Sequence, residues 1–152
     1  MKRALRVVLL LLAGVFVVIQ FFQPDRSNPP VRAEIAAPPE VKAVLRRACY
    51  DCHSNETTWP WYSYVNPMGW LVSGHVNEGR AHLNFSEWES LDAQKRYHMK
   101  QEILEVLEDG SMPLPSYLLV HGDAALRPED VATIMRWANE GEPNARGTSE
   151  RN

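Results

Sequence analysis

Cys49-Tyr50-Asp51-Cys52-His53 is a C-x-x-C-H run, and it holds the only two cysteines of the 152-residue chain. The spacing is that of a c-type haem attachment site. Two thiols three positions apart on a turn of helix can each add to one vinyl group of a single haem. The adjacent histidine is then held under the ring, where its imidazole can ligate the iron. Three other uses compete. A thioredoxin-like redox pair is expected beside a βαβ pattern and does not need the histidine. Structural zinc takes four N or S ligands, commonly from paired motifs. The chain has no second C-x-x-C and no H-x-x-x-H, so zinc would have to recruit scattered histidines. A disulfide across two intervening residues is short and strained, though open to an oxidising compartment.

The N-terminal flank bears on that choice. Met1-Lys2-Arg3-Ala4-Leu5-Arg6 is basic, and an apolar run from Val7 to Ile19 follows, extended past Gln20 by Phe21 and Phe22. This is the pattern of an export signal or a single membrane anchor. Gln20-Phe21-Phe22-Gln23-Pro24 is too bulky for a cleavage site. Residues 1–22 are therefore expected to be an uncleaved transmembrane helix, with cleaved secretion as the second choice. The basic end would lie in the cytoplasm and the rest of the chain outside, in the periplasm of a bacterium. Covalent haem attachment takes place on that exported side, which favours haem over its rivals.

Residues 23–39 contain Pro24, Pro29, Pro30, Pro38 and Pro39 and cannot form a helix. They read as a Pro-rich linker, or as an irregular arm packed on the domain. Residues 40–141 suffice for one small domain, and 142–152 are a polar tail. Sixteen basic residues face nineteen acidic ones, a net charge of −3, and three of those bases lie in the first six residues. No basic surface is available for nucleic acid. Acidity suits a basic redox partner protein, and equally an ordinary solvated surface.

The domain is expected to be all-α. Val41, Val44, Leu45 and Ala48 recur at helical spacing and run into Cys49, with Pro39 suited to the helix start. A second helix is expected from Met68 to Arg80. Ser86 with Glu89 resembles a capping box, and Asp92 is a further cap for a helix ending near Asp109, with Gly110 as its C-cap. The last helix opens at Pro128-Glu129-Asp130, presents Val131, Ile134, Met135 and Ala138, and stops at Gly141.

His53 supplies one axial ligand, and the other decides function. Met112, in Gly110-Ser111-Met112-Pro113 between two expected helices, is the leading candidate. Met99 and Met135, on apolar helical faces, are core residues instead. His75 is the alternative distal ligand, and His121 could serve either way. Trp59, Trp61, Tyr62 and Trp70 are candidate walls of a haem pocket, or an ordinary aromatic core. Arg80 is a candidate partner for a haem carboxylate, or an exposed helix-end arginine.

Taken together, these stretches resemble the bacterial haem-binding domain family of membrane-anchored, single-haem, c-type cytochrome-like proteins. The resemblance rests on Gln20-Phe21-Phe22 with Asn28-Pro29-Pro30, on Cys49-Tyr50-Asp51-Cys52-His53, and on Thr58-Trp59-Pro60-Trp61-Tyr62-Ser63. It continues through His75 to Arg80, His82-Leu83-Asn84-Phe85-Ser86, Met112-Pro113 and the helix around Trp137. It implies a cytochrome-c-like fold and haem binding, and no particular reaction. The first functional expectation is a one-electron carrier with His53 and Met112 on the iron. The second is a haem-based sensor or peroxidase-like enzyme with a displaceable sixth ligand. The third is an exported domain without haem, in which Cys49 and Cys52 form a disulfide or hold a metal.

Overall fold

The structure, a computed structural model, describes residues 1–139. The chain runs through α1 (Lys2–Ile19), α2 (Pro39–Ala48), α3 (Tyr50–His53), α4 (Met68–His82), α5 (Ala93–Glu108), α6 (Pro115–Leu118) and α7 (Pro128–Asn139). Single 3₁₀ turns lie at Trp61–Tyr64, Phe85–Ser90 and Gly122–Ala124. Every regular element among the described residues is helical, as the periodicity predicts. The polar tail and the Gly141 stop lie outside the described residues.

The expected membrane-crossing helix over residues 1–22 is not found. No helix among the described residues is long and apolar enough to cross a membrane. α1 ends at Ile19 and includes Lys2, Arg3 and Arg6. Its uncharged part, Val7 to Ile19, is 13 residues long. At ~1.5 Å per residue that is about 20 Å, short of the ~30 Å hydrocarbon core. Gln20 diverts the chain, because its side chain is bonded to a residue far along the sequence. Gln20 Nε2 donates to the Asn66 carbonyl at 3.0 Å, and the Asn66 N–H donates to Gln20 Oε1 at 2.9 Å.

From there the chain lies along the domain. Asn66 Nδ2 donates to the carbonyls of Ile19 and Phe22, and the Trp70 indole N–H also donates to Phe22. Further along, Asn28 Nδ2 donates to Thr57, Asn55 Nδ2 to Pro30, and the Ile35 N–H to Phe85. Extended backbone has no internal hydrogen bonds of its own, so these contacts satisfy it.

The core lies where α7 packs on α2 and α5. α2 buries Val41, Val44, Leu45 and Ala48; α5 buries Met99, Ile103 and Leu104; α7 buries Ile134, Trp137 and Ala138. Each large aliphatic side chain so buried contributes about 1.5–3 kcal/mol. An aromatic column connects this core to α3. Tyr50 stacks on Phe85 with centroids 5.4 Å apart, Phe85 on Trp88 at 6.1 Å, and Trp88 meets Trp137 at 5.9 Å.

The helix ends follow their local chemistry. Pro39 occupies the first turn of α2, and Asp92 Oδ1 accepts the Lys95 N–H at 2.7 Å to cap α5. Gly110, with φ +70, adopts the left-handed conformation that follows α5. The Ser86–Glu89 capping box is not formed. Asn84 Oδ1 caps the short turn through the Ser86 N–H instead. Ser86 Oγ accepts from the Asn55 N–H, and Glu89 Oε1 from the Ala36 N–H. Both side chains are used for tertiary contacts.

Asp130 closes the entry to α7. Its carboxylate accepts the Arg127 N–H at 2.9 Å, which is the return half of a capping box, and also the Arg127 and Arg47 guanidinium groups. Arg47 in turn donates to the Asp123 and Ala125 carbonyls, tying α2 to the chain before α7. The hydrogen bonds from Arg127, reinforced by Arg47, hold the Asp130 carboxyl well below the usual carboxylate range. A carboxylate depressed in the folded state adds stability above its unfolded pKa of about 3.9 and loses it as the pH falls. Asp130→Asn is therefore expected to cost about 1–3 kcal/mol at pH 7. The gap to the parent should shrink as the pH is lowered through and below about 4. Urea unfolding of both proteins across that range measures it, and a gap independent of pH would contradict the assignment.

Candidate functional site

One turn of helix brings Cys49, Cys52 and His53 together. The N–H groups of Cys52 and His53 both donate to the Cys49 carbonyl, at 3.2 and 2.9 Å. α4 packs closely against this turn. Gly79 permits the approach, since a Cβ there would stand 2.5 Å from the Cys52 carbonyl oxygen.

That approach fixes His53. Its Nδ1 lies 3.1 Å from the carbonyl oxygens of both Gly79 and Leu83, at the C-terminal end of α4. Carbonyls only accept, so Nδ1 carries the proton and donates a shared hydrogen bond. Burial holds the imidazole below its ordinary pKa, which leaves it neutral at pH 7. Nε2 is then an unprotonated lone-pair donor, and it has no hydrogen-bond partner among the described residues. Backbone carbonyls orienting one ring nitrogen while the other stays free is the usual support for a metal-binding histidine. The Phe85 ring, steeply inclined to the imidazole with centroids 6.4 Å apart, closes a further side of it.

His53 opens on two adjoining cavities. The inner one, about 160 Å³, is walled by core residues including Leu45, Phe85, Met99, Ile103 and Ile134. The outer one, about 350 Å³, reaches Cys52, His75 and Tyr117. Ala48, Cys49, His53, His82, Met112 and Pro113 border both. Cavities of this total size fall in the range for a sizeable organic ligand. Both thiols are free. Enclosure pushes the Cys49 pKa up to about 12 and that of Cys52 up to about 11. A redox-active pair needs a stabilised thiolate, which this environment opposes. Among the described residues no group of three or more His, Cys, Asp or Glu side chains could hold a metal ion. Two thiols and one aimed imidazole around a largely apolar space fit haem and fit little else.

The other sequence candidates are dispersed. Met112 lies in the loop between α5 and α6 at the mouth of both cavities, held by its N–H to the Val106 carbonyl at 3.3 Å. His75 borders the outer cavity from α4. Arg80 borders neither. Its guanidinium donates to the Ser54 and Ser27 carbonyls, Asn28 Oδ1 and Thr57 Oγ1, at 2.7–3.1 Å. The aromatic residues form no common wall around His53. Trp61 is 78% exposed and Trp70 is 42% exposed, while the Trp59 indole nitrogen is buried without a hydrogen-bond partner among the described residues. Tyr62 turns away to bond His121 Nε2 at 2.7 Å.

Three features escape the sequence reading. Gly79 sets how closely α4 approaches Cys52, 27 positions earlier, and nothing in its local sequence marks it. Glu102 places a carboxylate on the inner cavity, within 3.1 Å of both His82 Nε2 and His98 Nε2. Tyr117 donates to Asp51 Oδ2 at 2.8 Å, linking α6 to the motif. The His98–Glu102 contact follows i,i+4 spacing on α5, whereas no short-range pattern announces His82–Glu102 or Tyr117–Asp51.

An all-helical chain with free paired thiols and an oriented imidazole facing an apolar cavity belongs to the class of haem-pocket proteins. Its family is shown by comparison: the family model described as "Haem-binding domain" matches residues 14–140, and the chain is a member of that family. Haem is its cofactor. Searches of curated proteins and of solved structures gave no match.

The close contact at Gly79 makes a direct test of the site's construction. Gly79→Ala must move α4 away from the Cys52 carbonyl and loosen the His53 Nδ1 bond, at a cost of about 1–3 kcal/mol. Gly74→Ala, on the same helix with nothing within 4 Å of its added Cβ, should be neutral or stabilising by up to about 1 kcal/mol. Denaturant unfolding of the two variants separates them, and equal behaviour would remove Gly79 from its positioning role.

Proposed function

We propose that the chain holds one haem covalently as haem c, and that it serves as a one-electron carrier. Cys49 and Cys52 are the attachment residues, and His53 Nε2 and the Met112 thioether are the axial ligands. The observation that carries this reading is the orientation of His53. Its Nδ1 is committed to α4, so Nε2 faces away from that helix, into the space bordered by both cysteines and Met112.

The same orientation favours Met112 over His75. His75 stands on α4, the helix that holds Nδ1, one turn before Gly79. Met112 comes from the loop after α5 and can meet the opposite face. Haem supplies reversible one-electron iron chemistry, and a thioether opposite an imidazole raises its potential. His53 and Met112 would hold the iron, and the apolar lining of the inner cavity would disfavour water beside it. Neither donor is a free acid or base positioned for turnover, which favours carriage over catalysis.

Attachment through thioethers operates on the exported side of the bacterial cytoplasmic membrane. The basic start followed by an apolar run suits export, so we place the haem domain there. An acidic chain then suits a basic redox partner protein.

Acid–acetone extraction tests attachment. Haem should stay with the parent protein, remain on each single variant Cys49→Ala and Cys52→Ala through one thioether, and leave the double variant; complete extraction from the parent would refute covalent attachment. Met112→Ala should convert a low-spin ferric spectrum that resists carbon monoxide and cyanide into one that binds them rapidly. An unchanged spectrum would remove Met112 from the iron.

A further inference from the structure

A third cavity, about 480 Å³, opens on the other side of Cys52. It touches the haem cavities through Asp51, Cys52, His75, Leu114 and Tyr117, but extends away from His53 and Met112. We propose that it binds a single-ring quinone or hydroquinone. The inference rests on the haem lying along His53 and Met112, which leaves this space open.

Three observations converge on that class of ligand. The first is the mouth, where Trp61, Leu71, Leu119 and Val120 line the cavity and are 50–86% exposed. Apolar side chains gathered at an opening mark a place where an apolar molecule is received. The second is the wall. The Tyr117 ring stacks on His121 with centroids 4.2 Å apart and planes at 14°, and Tyr62 meets the same imidazole edge-on at 6.2 Å. Flat rings stack favourably on such surfaces.

The third is the polar chemistry. Tyr62 Oη and His121 Nε2 are 2.7 Å apart and share one proton between them. If the tyrosine donates, its oxygen keeps lone pairs to accept from a ligand hydroxyl. If the imidazole donates, the tyrosine hydroxyl is free to donate to a ligand carbonyl. The pair can therefore meet either oxidation state of a quinone oxygen without moving a heavy atom. A site built for only a hydroxyl or only a carbonyl would leave a buried polar group unpaired with the other state. His75, which has no hydrogen bond among the described residues, offers a second polar contact at the boundary with the haem cavities.

The test uses the purified full-length protein in its oxidised state, with haem content read from absorbance. Duroquinone is the probe, because its methylated ring has no free position for thiol addition, and durene is the oxygen-free control. Ligand-observed NMR titration should give saturable duroquinone binding, with durene about tenfold weaker. Tyr62→Phe, which removes only the hydroxyl, should weaken duroquinone about tenfold and leave durene unchanged, one hydrogen bond being worth roughly that factor. Tyr97→Phe, on the exposed face of α5, should change neither. Haem-loaded protein that does not bind duroquinone, equal binding of durene, or an unaffected Tyr62→Phe overturns the proposal. A Tyr62→Phe variant with an altered haem spectrum and no duroquinone binding assigns the cavity to haem and likewise overturns it. Absence of haem from the purified protein would instead sink the haem reading, with the titration still legible.

Discussion

The hydrogen bond from His53 Nδ1 to the end of α4 is the constraint on which the site depends. The last carbonyls of a helix lack partners within it and carry the negative end of its dipole. At α4 the imidazole N–H meets the carbonyl of Leu83, the residue that follows the helix, and shares the Gly79 carbonyl with the Leu83 N–H. Both parties benefit. The helix end gains a donor, and the imidazole is fixed in tautomer and direction with its basicity raised at the free nitrogen. The bond is possible only because no side chain at position 79 keeps α4 from the Cys52 backbone.

A single helical turn cannot hold its own shape in water. α3 is four residues long, and its rigidity is borrowed. On one side it is pinned by α4. On the other, Tyr50 carries it into the column of Phe85, Trp88 and Trp137, and so onto α7. The Arg46 guanidinium lies 4.7 Å above the Tyr50 ring, and Glu34 accepts the Tyr50 hydroxyl. Cys49 and Cys52 therefore inherit the positional precision of the core, although they lie at its edge.

What was legible in the sequence was local. Pro39 and the spacing of Val41, Val44, Leu45 and Ala48 announce α2, Asp92 announces α5, and the C-x-x-C-H run announces its own chemistry. Each signal lies within a few residues of what it determines. The end of α1 is different, because Gln20 is held by Asn66, 46 positions away. The apolar run alone reads as a longer helix than the chain forms. Ser86 and Glu89 fail as a capping box for the same reason, since distant backbone N–H groups compete for them. The tryptophan-rich stretch shows the limit of composition. Trp59 and Trp61 are two residues apart, yet one indole nitrogen is buried and the other ring is largely exposed.

Arg80 ties α4 to two segments remote from it in sequence, one at Ser27 and Asn28 and the other at Ser54 and Thr57. Asn66 is fully buried, and its amide depends on the carbonyls of Ile19 and Phe22. The smallest fragment able to fold as the whole chain does must therefore start at or before Ile19. A fragment begun at the first core helix, Pro39, would keep every core side chain of α2, α5 and α7. It would nevertheless strand the Asn66 amide just before α4, the helix that aims His53, and two of the four Arg80 hydrogen bonds on that helix.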